Sequence, residues 1–240
     1  MSVIQAGNTT TTSLIYTGDT TGNLVFTTGG ANATALTLSN TQSATFANAI
    51  TATALIPSGS TIPTNGRYLP SANTVAISTG STARLQVNSA GLMTNSYQPS
   101  FLVGNSSGTD QSFTDGTIIA FNTTGTKGFN VGSNFNTSTS LFTAPVAGKY
   151  IFSFVGYFTN SGGNTQSMQI APQINGLYMS VGGDVVVLCA VTPNSVGNVI
   201  EIGGSVIADL AAGDQFGVYS RGSTARLYMG HTKFSGYLLG

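Results

Sequence analysis

Charge is what this chain has least of. Seven Lys and Arg and seven Asp and Glu make up 6% of its 240 residues, against roughly a quarter in an ordinary soluble domain. Without a basic surplus, binding to nucleic acid by neutralising phosphates is not expected. Without a charge excess, nothing holds the chain unfolded. Cysteine is reduced to Cys189 and histidine to His231. That excludes a disulfide framework and a cysteine-rich zinc site. Met1–Gly7 shows neither the positive charge nor the apolar stretch of a secretory signal. No apolar run is long enough for a membrane-crossing helix, so no membrane insertion is expected. Lys and Glu, the usual surface residues of helices, are scarce, and apolar residues do not recur with a helical period over three turns.

What is present is glycine, threonine, serine and asparagine, punctuating short β-branched and aromatic runs. This pattern predicts an all-β chain. Residues 1–55 form an N-terminal β-rich segment with strands expected at Ser13–Tyr16, Asn23–Thr27, Ala33–Leu38 and Ala44–Ala47. The pairs Leu14/Tyr16, Leu24/Phe26 and Leu36/Leu38 repeat with period two, so one face is buried against something, another copy of the same chain among the options. Residues 56–97 form a connector with turns at Pro57, Pro63, Pro70 and Asn65-Gly66. It holds a hairpin: Val75–Ile77, a turn around Gly80, then Arg84–Val87. The hexapeptide Gly80–Leu85 recurs verbatim as Gly222–Leu227, which predicts a second hairpin of the same turn chemistry.

Residues 98–240 are richer in aromatics. Tyr150, Phe152 and Phe154 alternate behind a Pro145–Gly148 turn, and Phe142 precedes it. With Phe135, these rings are expected in a core. Asn130, Phe135, Phe142, Gly148, Tyr150, Phe152 and Phe154 follow the spacing of the complement-type globular head family, the jelly-roll trimers related to tumour necrosis factor, and the stretch resembles that signature. The first aromatic of the family pattern falls on Thr124, with Phe121 the nearest ring. Leu210–Tyr219 resembles the family's late hairpin, and Phe234–Leu239 its closing strand. The resemblance implies a ten-stranded, two-sheet jelly roll that assembles as a tight trimer. The sparsely charged first hundred residues, the Arg84–Gly91 hairpin end and the Tyr97–Phe101 junction are similar to the shafts of bacteriophage tail fibres.

Chemistry is hard to find. A Ser/His/Asp site would need His231, in a loop. The carboxylate pairs Asp110/Asp115 and Asp209/Asp214 suit turns better than glycan hydrolysis. No dense acidic loop suggests calcium. Cys189 lies in the apolar run Asp184–Val191, read as a central or interface strand, and is expected to be a buried thiol. No catalytic residue, metal or cofactor is therefore expected, and the protein is not read as an enzyme. Arg221, Arg226, His231 and Lys233 are the candidates for receptor contact, as a basic rim. The sequence thus reads as a bacteriophage virion protein, located on the tail or the capsid exterior. It would be a homotrimeric tail fibre or adhesin, with the head on a host-surface glycan or protein and residues 1–55 on other virion proteins. The alternative is a trimeric capsid decoration protein or head fibre.

Overall fold

The computed structural model describes residues 22–28, 33–41, 43–47, 61–159, 167–192, 199–222 and 225–240. It is all-β, with no helix among the described residues. Two compact units emerge, Met1–Pro57 and Ser58–Gly240.

In the first unit, β1 (Leu24–Thr28), β2 (Ala33–Leu38) and β3 (Ala44–Phe46) form an antiparallel meander. The strand expected at Ser13–Tyr16 lies outside the described residues. The register sets Leu24 opposite Leu38, Phe26 opposite Leu36, and Leu36 opposite Phe46. One face is therefore apolar, while Val25, Thr37 and Thr45 line the other. Phe26, Leu38 and Phe46 remain exposed.

The second unit begins with a four-stranded sheet: β4 (Asn65–Tyr68), β5 (Val75–Thr79), β6 (Thr82–Val87) and β7 (Met93–Thr94). Gly80 and Ser81, at φ 56° and 57°, make the two-residue turn between β5 and β6. Left-handed conformations at both central positions match the twist of a hairpin.

Two packed sheets follow. The first contains β8 (Ser100–Val103), β9 (Asp110–Phe113), β10 (Phe129–Val131), β13 (Gly148–Thr159), β19 (Val199–Leu210), β21 (Ala225–Tyr228) and β22 (Lys233–Leu238). The second contains β11 (Phe135–Asn136), β12 (Leu141–Thr143), β14 (Met168–Ile174), β15 (Leu177–Tyr178), β18 (Cys189–Val191) and β20 (Gln215–Arg221). A small ribbon, β16 (Ser180–Val181) with β17 (Asp184–Val185), stands apart.

The core between the sheets is made of rings. On β13, Tyr150, Phe152, Phe154 and Phe158 point inward and are at most 1% exposed. Phe152 stacks on Phe216 with centroids 3.7 Å apart and planes at 10°. Phe135 and Phe142 pack on Phe101. Phe121 turns into the same core against Phe154 and Phe234. It supplies a ring although the family spacing points to Thr124. Such rings bury most of the apolar surface of a domain and favour offset or edge contacts. Gly236 is needed where β22 crosses this layer. A Cβ there would lie 2.5 Å from Phe101 Cε1 and 2.7 Å from Phe152 Cδ1.

Three expectations need correction. The Gly222–Leu227 repeat does not form a second hairpin: β20 pairs with β12 and β14, whereas β21 pairs with β13 and β9. Gly222 takes a left-handed φ of 84°, and Leu227 beyond it is buried in the core. The Leu210–Tyr219 stretch likewise passes from β19 in one sheet to β20 in the other. Its turn is fastened by Asp214, which accepts from Ala211 N and Asn175 Nδ2, both at 2.8 Å. These bonds, the Asn175 amide first, hold the Asp214 carboxyl below its usual range. Lastly, Asp184–Val191 is not one strand. It splits into β17 and β18, and among the described residues β18 pairs with β14; the run changes partner between Val186, whose N donates to Met179 O, and Leu188, whose N donates to Ile170 O.

Candidate functional site at the far end of the first sheet

Backbone pairing defines two ends of this double sheet. Gln98 Nε2 donates to Leu238 O at 2.8 Å, Leu238 N to Pro99 O, and Lys149 N to Gly240 O. The chain therefore enters through Gln98–Ser100 at the end where Leu238–Gly240 also lie, the base. β13 runs from there for 12 residues, about 40 Å of extended chain. At the far end lie Thr159, Met168, Val191, Arg221 and Ala225, the ends of five strands.

Strand alternation aims β13's odd residues away from the core, so Tyr157 stands on the outer face near that far end. Tyr228 on β21 stands beside it, with ring centroids 5.8 Å apart. His231 completes the group, 4.8 Å from Tyr157 and 5.1 Å from Tyr228, edge-on to both. Thr232 fixes this arrangement from inside. It is fully buried, its hydroxyl donates to Tyr228 O, and Tyr157 N donates to that hydroxyl. Next to the rings, Arg226 meets Asp110 at 3.7 Å, and Thr159 Oγ1 donates to Asp110 at 3.0 Å. Arg226 Nε is buried without a hydrogen-bond partner.

Below these rings is a cavity of about 490 Å³. Gly104–Ser106, Thr123–Gly128 and Lys233 wall it, with Leu102 and Val103 behind. The loop is tied back by paired bonds between Gly104 and Thr123 and by Gly128 N donating to Thr124 O at 2.8 Å. Lys233 lays its stem over Gly104, where a Cβ would be 3.3 Å from its Cδ. Its ammonium donates to Gly230 O at 2.6 Å and Thr232 O at 3.2 Å. Burial lowers its pKa from the ordinary lysine value.

Of the four candidate residues, Arg226, His231 and Lys233 share the outer face of the first sheet. Arg221 does not join them. It lies on the second sheet, bonded to Gln169 Oε1 at 2.7 Å and near the Tyr178 ring. Tyr157, Tyr228, Asp110 and Lys127 are the additional residues of this end. The alternation Tyr150/Phe152/Phe154, continued to Phe158, would have put Tyr157 on the opposite, outer face. The others depend on register.

The carboxylate pairs serve turns and ion pairs: Asp115 accepts from Gly222 N at 2.8 Å, and exposed Asp209 pairs with Lys149 at 2.8 Å. Cys189 is buried and free, and burial pushes its thiol up to about 12. Among the described residues, no cluster of three His, Cys, Asp or Glu side chains could hold a metal ion.

Between base and far end, the outer face of the first sheet carries an exposed apolar row beside a row of serines. Registers align Tyr237, Ile151 and Ile207 in one row, and Leu102, Ser235, Ser153 and Ser205 in the next. Ile207 is 55% exposed and Tyr237 47%. Phe129 extends this face on the edge strand and is exposed. Ser153 and Ser205 satisfy one another at 2.7 Å, and charge flanks these two rows, as Lys149–Asp209 on the base side and as Lys233 and Glu201 toward the far end.

Comparison with known proteins gives a family. No curated protein matches the sequence. Among solved structures, similarity is found to the Eiger TNF of S. frugiperda, with TM-score 0.45 and 13% identity over 60% of this chain and 93% of that one. The globular domain of the zebrafish complement 1qA protein is also similar, with TM-score 0.44 and 16% identity over 60% and 98% of the two chains. The model of the C1q domain matches residues 100–239, the two-sheet module with its ring core. The chain belongs to the C1q domain family.

Proposed function

We propose that this protein is a trimeric receptor-binding fibre of a bacteriophage virion. Residues 98–240 would be its binding head and residues 1–55 its attachment to other virion proteins. The observation that carries the reading is the polarity of the head. The chain enters the head at the base, whereas the Tyr157/Tyr228/His231 cluster, Arg226 and the lysine-lined cavity stand at the other end. A head mounted at its base presents that end to whatever it meets. Loop ends on a rigid scaffold are where binding residues concentrate.

The trimer is supported by the exposed apolar row on the outer face. A row such as Tyr237, Ile151 and Ile207 is costly to leave in water, and a neighbouring copy of the same head would cover it. Three weak sites on one fibre then gain avidity without further contacts. Binding, not bond cleavage, is the proposed activity, with a host-surface glycan or protein as partner. Immunogold labelling of intact particles tests this: label at the tail supports the fibre, label on the shell supports a decoration protein instead, and unlabelled particles refute both.

A further inference from the structure

We infer that the cavity between the end of β8 and the Thr123–Gly128 loop binds an anionic sugar group, carboxylated or phosphorylated. The inference deepens the receptor-binding reading and rests on it. Its volume, about 490 Å³, lies in the range of small-ligand sites and suits a mono- or disaccharide unit. The lining is one-signed: Lys127 and Lys233 contribute ammonium groups, and no Asp or Glu is among the lining residues.

Lys233 is the telling residue. Its ammonium is part-buried and held by two neutral carbonyls, Gly230 O and Thr232 O. Among the described residues it has no carboxylate within 4.0 Å. Carbonyls orient an ammonium without neutralising it, so the positive charge stays uncompensated where desolvation makes that costly. One donor remains for a ligand, because an ammonium has three. An incoming anion supplies the missing counter-charge.

The rest of the wall suits a sugar. Ser106, Thr123, Thr124 and Thr126 offer hydroxyls, and Leu102 and Val103 an apolar back. Lys127 is exposed on the loop opposite and is free to close on a charged group.

The test is calorimetric titration of the full-length protein with N-acetylneuraminic acid, glucuronic acid and glucose 6-phosphate, with galactose and glucose as neutral controls. At least one charged sugar should bind, more weakly as salt rises, and the neutral sugars should not. The stronger of the carboxylated and phosphorylated sugars identifies the anion. Lys127→Ala and Lys233→Met should each weaken binding about tenfold, as loss of one charged hydrogen bond predicts, while Lys127→Arg should retain it. Lys127 is exposed, so its variants fold even if Lys233→Met does not. No binding of charged sugars at about 50 mM, equal binding of neutral ones, or unaltered binding by Lys127→Ala overturns the inference. Adsorption of the same proteins to host cells separates the two readings. Cell binding without sugar binding removes the cavity but keeps the receptor role. Sugar binding without cell binding removes the receptor role but keeps the cavity.

Discussion

Replacing Ile207 by glutamate perturbs the proposed trimer while sparing the fold. Ile207 sits on the outer face of β19, opposite Ile151, and is 55% exposed. In an isolated head the new carboxylate would reach water, so the fold should change by no more than about 0.5 kcal/mol. In a trimer built through this face, three unpaired carboxylates would be buried. Lys149 is committed to Asp209 at 2.8 Å, one level nearer the base. Each unpaired buried charge costs about 3–5 kcal/mol, so three exceed what an interface of ordinary size can lose. Light scattering should show the unaltered protein at three times 24.4 kDa and Ile207→Glu as a monomer with a near-native melting temperature. A trimer that persists in Ile207→Glu would refute the placement of the interface, and a monomeric unaltered protein would refute the trimer.

Other expectations follow from single contacts. Gly236→Ala drives a methyl into Phe101 and Phe152 and should destabilise the head by about 1–3 kcal/mol, seen as a lower melting temperature. Cys189 should resist a polar thiol reagent in the native protein and react once unfolded. Its folded thiol titrates at about 12 against 9.0 when unperturbed. The native state therefore holds the proton more tightly, and its stability advantage should fall as pH rises from 9 toward 12; a flat stability profile there would count against burial. Phe152→Ala removes the ring stacked on Phe216 and should cost about 3–5 kcal/mol in denaturant titration.

Alternation was readable in strands of both units. Leu24/Phe26 and Leu36/Leu38 lie on strands of the first unit, and Tyr150, Phe152 and Phe154 line the core. Pairing was less readable. Gly80–Leu85 and Gly222–Leu227 are the same six residues, yet one makes a hairpin and the other joins two sheets, because a turn permits a reversal without choosing the neighbour. The Asp184–Val191 run looked continuous because hydrophobicity does not reveal where Leu188 N turns to Ile170 O. Among the candidate residues, Arg226, His231 and Lys233 came together through the β21–β22 turn, a local event. Arg221 went elsewhere because β20 belongs to the other sheet. Asp110 and Lys127 were invisible as members of this end, since only sheet register brings them there.

The central claim is that the base attaches and the far end binds. Deleting residues 1–55 and following the protein in infected cells tests it directly. The account predicts a trimer that still adsorbs to host cells but is missing from purified particles. Normal incorporation of the truncated protein into particles would contradict it and make the head the docking end.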